Sequence, residues 1–422
     1  MSSTAEVAGR AVPRGRWDLV NGVVPDPLPS VSVIVAHYDQ PVQLQRTLLA
    51  LARQDYPSHS IEIIVVDDGS PRTPEVPNTV RLLVQRDDGF RLSAARNLGA
   101  STARNDVLVF LDADTSPERG YIRAISRLPA LLADSVTVGR RRHADLSDVP
   151  VDVSVEIAGP DRELDEPAWL VDAYRRTRNL LEADHRSYRY LIGAVLACSR
   201  RFFLETGGFD ESFTEYGGED WEWGYRAWLS GGVFAHVPEA VGWHDGPSPA
   251  DRGPRGLADK NKEVLRLADL IPVPGSRGLG MPTAHADITL SGPNGGATPG
   301  QVFVSRDSVL AEVPGSVVAE SVTNSASKLD RVRIEVRIEH PLRAHPGDLA
   351  EALTAIESGS YSEVLVHSGT GQLLLTMHSR RASARQRRWG GDPLLPTLEL
   401  AAPRLTALVA EVDLEAYLGG WD

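Results

Sequence analysis

The stretch Val107-Leu-Val-Phe-Leu-Asp112-Ala-Asp114 decides how this chain is read. An apolar run that gains charge only at its last residues reads as a buried parallel strand whose carboxyl end emerges into a crevice. In open α/β sheets, ligands bind outside those ends. Two carboxylates set there repel each other unless a cation or hydrogen-bond donors satisfy them. Alone, Asp-x-Asp reads equally as a solvated loop. Its place on a strand end and its neighbours in sequence are what separate the two readings.

Working outward, Val31-Ser-Val-Ile-Val35 predicts a buried strand, and Leu44, Leu48 and Leu51 predict a helix packed on it. Ile61 to Val66 predicts a second strand, ending in Asp67-Asp68-Gly69-Ser70, and Val80 to Gln85 a third. Ser93 stands where a cap would start a helix running to about Ala103. Pro117 stands where it would open the helix after the Asp-x-Asp strand. Such alternation predicts an α/β fold with a mostly parallel sheet covered on both faces. Residues 1–29, rich in proline, read as an N-terminal extension, and 30–272 as the α/β domain.

Later in that domain the pattern predicts a helix over 168–182 and an apolar run over 191–198. Glu219 opens a further helix, with Trp221, Tyr225 and Trp228 on one stripe and Gly231-Gly232 after its end. That stripe reads as core. Residues 246–256 read as a loop or lid, and the Pro/Gly-rich stretch 272–300 as a joint. Residues 273–422 read as a small C-terminal α+β domain: an alternating strand in Val332 to Ile338, a helix near 348–357 and a hairpin around Gly369-Thr-Gly371.

The 422 residues suit two domains. A net charge of −13 argues against nucleic acid or acidic membrane as a partner. The single cysteine, Cys198, permits no intrachain disulfide. No apolar stretch reaches transmembrane length and no apolar signal core is visible, so the expected location is cytoplasmic. Basic charge is carried by Arg, with Lys only at 260, 262 and 328, which reads as a bacterial, GC-rich coding bias.

Chemistry-bearing clusters fall at strand ends in a fixed order. They are Asp39; Asp67-Asp68-Gly-Ser; Arg96-Asn97; Asp112-Ala-Asp114; Gly207-Gly-Phe-Asp-Glu211; Gly217-Gly-Glu-Asp220; and Trp243-His244-Asp245. Over residues 30–245 this ordered set resembles the GT-A fold of glycosyltransferase family 2. Its second half is similar to β-1,4-galactosyltransferases and polypeptide N-acetylgalactosaminyltransferases. The resemblance implies a nucleoside diphosphate sugar donor, UDP-type favoured, and a divalent cation, Mn²⁺ or Mg²⁺. It implies Asp114 and His244 as metal ligands, and Asp39, Asp68, Arg96 and Asp112 as donor contacts, with Arg96 approaching the diphosphate. It implies Asp220 as general base and Glu219 as its orienting neighbour. Asp39 and Ala36 depart from the Asn and Thr more usual in that family.

The chemistry fits these residue types. Breaking the anomeric C–O bond builds charge on a leaving diphosphate, and a divalent cation stabilises that charge. Carboxylates suit Mg²⁺ or Mn²⁺, and an imidazole favours Mn²⁺. A carboxylate at a helix start can take the acceptor proton, and the macrodipole there is expected to keep it ionised. Direct displacement by the acceptor hydroxyl inverts the anomeric carbon. A retaining transferase and a non-catalytic sugar-nucleotide-binding module stay open as alternatives. A nucleotidyltransferase would show a Gly-rich, basic first loop, which Ala36-His-Tyr-Asp-Gln40 is not. The C-terminal domain leaves open whether it shapes an acceptor site or pairs subunits into a homo-oligomer.

Overall fold

The computed structural model describes residues 9–247, 253–278, 281, 284–293, 295–319, 329–391 and 393–419. The chain forms two compact units, Met1–Trp228 with Gly232–Leu265, and Leu229–Gly231 with Arg266–Asp422.

The first unit is built on β1 (Val31–His37), α1 (Pro41–Ala52), β2 (Ile61–Asp67), β3 (Val80–Val84), α2 (Leu92–Thr102) and β4 (Val107–Asp112). β5 (Thr115–Pro117), α3 (Tyr121–Leu131), β6 (Ser135–Ala144), α4 (Val155–Asp161), β7 (Glu163–Leu164) and α5 (Ala168–Arg176) follow. β8 (Val195–Ser199), α6 (Arg200–Glu205), α7 (Glu219–Leu229), β9 (Val233–Asp245) and α8 (Gly253–Leu270) complete the series, with the last turns of α7 and α8 passing into the second unit. The sheet runs β3-β2-β1-β4-β8-β6-β9-β5, with β7 against β6. The first four strands are parallel. β4 pairs antiparallel with β8, β8 with β6, and β5 with β9. Every residue of β1, and all of β4 except Asp112, is buried, as strands covered on both faces must be.

Several local expectations shift. Pro117 closes β5 rather than opening a helix, because Thr115 to Pro117 pair with β9 and the helix starts at Tyr121. Ser93 does not cap α2: Arg91 is the N-cap residue, without a side-chain cap bond. The helix expected over 168–182 stops at Arg176, since Arg178, Asn179 and Leu180 turn left-handed (φ 52°, 57° and 67°). The expected loop at 246–256 gives way to α8 from Gly253 onward, and 248–252 lie outside the described residues. Tyr225 and Trp228 are core, as the stripe implied, whereas Trp221 is half-buried. On this helix the fully buried indole is Trp223, packed with Phe203 and Phe209. The extension is anchored through Val12 and Val20, which pack on Leu128, Leu132 and Val233.

The second unit holds β10 (Ile288–Ser291), α9 (Pro299–Glu312), β11 (Ser316–Val318), β12 (Ile334–Ile338), β13 (Leu342–Arg343) and α10 (Ala350–Glu357). It closes with β14 (Glu363–His367), β15 (Leu373–Ser379), α11 (Arg380–Trp389), β16 (Thr397–Ala401), β17 (Thr406–Ala407) and α12 (Leu414–Gly419). Its sheet runs β11-β10-β12-β15-β14-β16. β12 alternates buried and exposed residues, and β14–β15 is the expected hairpin. β10 and the start of α9 occupy the stretch that reads as a joint.

Gly99 lets α2 lie close on the sheet: a Cβ there would sit 2.5 Å from Ile34 Cγ2 and 3.2 Å from Val66 Cγ2. Helix propensity favours Ala over Gly by about 1 kcal/mol, but overpacking a buried contact costs roughly 1–3 kcal/mol. Gly99→Ala is therefore expected to lower stability, read as a reduced urea midpoint at unchanged slope.

Candidate active site

The strand order reverses direction at β1, which lies between β2 and β4, so the crevice opens at the carboxyl ends of these strands. Register brings His37 beside Asp67 and Ala36 beside Asp112. The candidate residues gather there in three groups.

The first group surrounds the β1 and β2 ends. His37 Nδ1 and Asp67 Oδ1 lie 2.7 Å apart, both buried. Ser70 Oγ donates to Asp67 and accepts from the Asp39 N–H at 2.9 Å, tying the two loops together. Asp39 is exposed and left-handed (φ 46°). Asp68 is buried, accepts from the Arg91 N–H at 2.8 Å and is bonded by the Gln85 amide. Burial raises its pKa, against the pull of Gln85 and Arg91. Asp67 is thus the carboxylate that fixes the loop, and Asp68 the one that fixes the start of α2.

In the second group, β5–β9 pairing sets Thr115 opposite His244, and the Asp245 N–H donates to the Asp114 carbonyl at 2.9 Å. Asp114 Oδ1 and His244 Nδ1 are 3.2 Å apart, and Gln40 Nε2 donates to Asp114 Oδ2 at 3.2 Å. Burial alone would raise the Asp114 pKa, but His244, Gln40 and Arg141 hold it below the ordinary value. Arg46, buried in α1, reaches Asp245 and the carbonyls of Leu146 and Val149, fixing the end of β9. The His143 ring packs edge-on against His244 at 5.0 Å. Two ligands at about 2.0–2.2 Å from one ion stand roughly 3 Å apart, so the Asp114–His244 pair fits a shared cation. Among the described residues no group of three or more His, Cys, Asp or Glu side chains is arranged to hold a metal ion.

The third group joins β4 to α7. Arg96, nearly fully buried, donates through Nη2 to Asp112 at 2.7 Å and through Nη1 to Glu219 at 2.8 Å. The sequence reading sets Arg96 at a diphosphate; the structure sets both its terminal nitrogens on carboxylates. Burial opposes its charge, but Asp112 and Glu219 outweigh that and raise its pKa. Glu219 is pushed up to about 7, first by burial and then by Asp220, against the pull of Arg96. Asp220 is half-buried and accepts from the Gly193 N–H at 2.9 Å and the Trp221 N–H at 2.8 Å. Burial raises its pKa despite these donors, so the helix start does not lower it as the sequence reading expects. Gly217 and Gly218 lead into α7 at φ 96° and 92°, backbone that only glycine adopts without strain.

Sequence reasoning misses Gly193. Its N–H holds Asp220, and a Cβ there would lie 2.6 Å from Arg96 Nη1. It sits inside an apolar run, where nothing marks it. It also misses Gln40 and Arg46, whose roles depend on tertiary contact. Asp245 was within reach, as the neighbour of His244. The run Arg140-Arg141-Arg142 lies in β6; Arg140 pairs with Glu166, and Arg142 pairs with Glu163 and stacks on Trp243 at 4.1 Å.

Comparison with known proteins matches two segments of the chain. Residues 32–155 match the description "Glycosyl transferase family 2", and residues 181–243 match "N-terminal domain of galactosyltransferase". The chain carries a glycosyl transferase family 2 domain. That domain contains β1 to β6 and hence Asp39, Asp68, Arg96, Asp112 and Asp114, whereas Gly193, Glu219 and Asp220 lie in the second match. Over 265 residues the chain is 27% identical to the chondroitin synthase of Escherichia coli, covering 57% of this chain and 38% of that one. Over 272 residues it is 29% identical to the hyaluronan synthase of Pasteurella multocida, covering 57% and 27%. The chain therefore spans well under half the length of these relatives. Its likeness to a mannosyltransferase from Pyrobaculum calidifontis, solved with GDP-Man and Mn²⁺, has a TM-score of 0.41 at 22% identity, over 61% of this chain and 67% of that one.

Removing Arg96 leaves buried Glu219 and partly exposed Asp112 without their counter-charge. Breaking such a buried pair from one side costs about 3–5 kcal/mol. Arg96→Met is expected to fall by that amount in urea unfolding, and Arg96→Met with Glu219→Gln to recover part of it.

Proposed function

We propose that this chain is a metal-dependent glycosyltransferase that moves a sugar from a nucleoside diphosphate donor, UDP-type favoured, to an acceptor hydroxyl with inversion. The observation that carries the reading is the strand-end crevice. It holds Asp114 and His244 3.2 Å apart on one side and joins Asp112 through Arg96 to the Glu219–Asp220 helix start on the other. The two matched domains support the same division into donor and acceptor halves.

Mn²⁺ or Mg²⁺ held by Asp114 and His244 supplies charge neutralisation for the leaving diphosphate when bound. Gln40 keeps the Asp114 carboxylate turned toward His244. Asp39 and Asp68, at the first two strand ends, bound the place of the base and ribose. Asp112 faces the crevice partly exposed, with one oxygen fixed by Arg96. Asp220 accepts the proton of the acceptor hydroxyl; its two backbone N–H bonds fix the carboxylate's direction. Glu219 is tied to Arg96 and sets the charge that Asp220 feels. Attack from the Asp220 side opposite the leaving group inverts the anomeric carbon.

A panel of nucleoside diphosphate sugars, assayed for nucleoside diphosphate release with and without Mn²⁺, tests the reading. No release with any donor, and no effect of metal on donor binding, would sink it. Asp220→Asn is expected to lower kcat by roughly 10²–10⁴-fold while donor affinity is retained, because general-base catalysis is worth about that much. Retained turnover in that variant would remove Asp220 from the base role, donor binding without turnover in the unaltered chain would favour the binding-module alternative, and product with retained configuration the retaining one.

The base must be ionised to work, and the Asp220 pKa is raised by burial. Rate should therefore rise with pH along a limb that lies above the ordinary aspartate range. A kcat/KM profile across acidic and neutral pH checks this.

A further inference from the structure

The acceptor side holds more than the proposed base. Glu263, on α8, packs over the loop before α7: a Cβ on Gly217 would lie 2.7 Å from Glu263 Oε2. Glu263 acts electrostatically on both Glu219 and Asp220, so three carboxylates face one region. One of them is incompletely satisfied: Glu219 Oε2 is buried and finds no hydrogen-bond partner among the described residues.

Beside these carboxylates stands an aromatic wall. Trp221, next in sequence to Asp220, has Trp169 edge-on at 6.4 Å and Tyr188 edge-on at 6.3 Å. Trp169 is 47% exposed, too much for a core residue of that size. One face of Trp221 is covered by the Lys260 ammonium, 4.7 Å from the ring centroid, and the same ammonium lies 2.7 Å from Glu263 Oε1. A carboxylate and an indole face converging on one nitrogen form a cation site. Here the chain's own ammonium fills it, supplied by one of only three lysines. Lys260 is exposed whereas the Glu263 side chain is largely buried, so of this i,i+3 pair the ammonium is the member within reach of a ligand. A ligand ammonium held in place by further contacts can displace it.

We propose that the acceptor is a hydroxyl-bearing ring that carries a protonated amine, and that Trp221, Trp169 and Glu263 form its subsite, with Lys260 standing in for the acceptor ammonium when the site is free. The proposal rests on the glycosyltransferase reading for the word acceptor. Its physical content is charge complementarity. A neutral or anionic ring in the ammonium's place would leave Glu263 without a counter-charge, beside Asp220 and the Arg96-paired Glu219. A cationic ring restores the balance that Lys260 now provides. The indoles meet the apolar C–H face of the ring, and the hydroxyl next to the amine is brought toward Asp220.

The test uses the full chain near neutral pH, with glucosamine and N-acetylglucosamine as matched probes, one cationic and one neutral. Binding is read by calorimetry. Glucosamine should bind roughly tenfold more tightly, the value of one charge-assisted bond. Glu263→Gln should reduce that preference severalfold. Lys260→Ala should strengthen glucosamine binding, since an internal competitor is gone; a purely structural Lys260 would weaken it or leave it unmoved. Equal binding of the two sugars, tighter binding of the acetylated one, no binding of either, or weaker binding by Lys260→Ala would each overturn the proposal. Donor turnover in the absence of any acceptor, measured on the same preparation, separates its failure from failure of the transferase reading.

Discussion

A single buried guanidinium holds the two halves of the crevice together. Arg96 leaves α2, passes beneath the end of β4 and meets the start of α7, bonding Asp112 and Glu219 on the way. Arginine keeps its charge in a protein interior, so the group cannot escape by losing a proton. The surrounding chain must supply carboxylates, and it does so from either side of the sheet's central strands. Phe209 packs against the same guanidinium at 5.5 Å, and Gly193 yields the space that it needs. The placement of Asp112, Glu219 and Asp220 follows from this one contact.

The strand ends were legible because burial writes itself into composition. Runs such as Val31 to Val35 and Val107 to Leu111 have no polar residue facing either layer except Ser32, so a change to Asp marks where cover stops. The order of clusters also located Asp114 and His244, and the sheet brings them to 3.2 Å across 130 positions of sequence. What could not be read was pairing. Whether Arg96 met phosphate or carboxylate depends on contacts 123 residues apart. The same holds for Gly193, whose neighbours in sequence are all apolar. Local signals failed where tertiary contact overrode them: Pro117 fits equally at a helix start or a strand end, and β9 decided between the two.

Acidity is the electrostatic character of this crevice. Asp68, Glu219, Asp220 and Glu263 all have pKa values raised by burial before any other cause. Carboxylates held above their ordinary range resist ionisation and favour whatever brings positive charge. On the Asp114 side the proposed metal ion would fill that role. On the α7 side it is divided between Arg96, which is buried, and Lys260, which is exposed.

The two matched segments interleave in one sheet, where β8 and β9 of the second flank β6 of the first. Asp39, Asp68, Arg96, Asp112 and Asp114 lie in the first segment and Gly193, Glu219 and Asp220 in the second, with His244 one residue past it. The pairing of β4 with β8, and of β6 with β8 and β9, joins the segments through backbone bonds, which are indifferent to side-chain identity. Exchange of one segment therefore rebuilds the sheet that carries the other. The guanidinium sets the condition for such an exchange: a replacement half must present one carboxylate and one glycine at the point where Arg96 arrives.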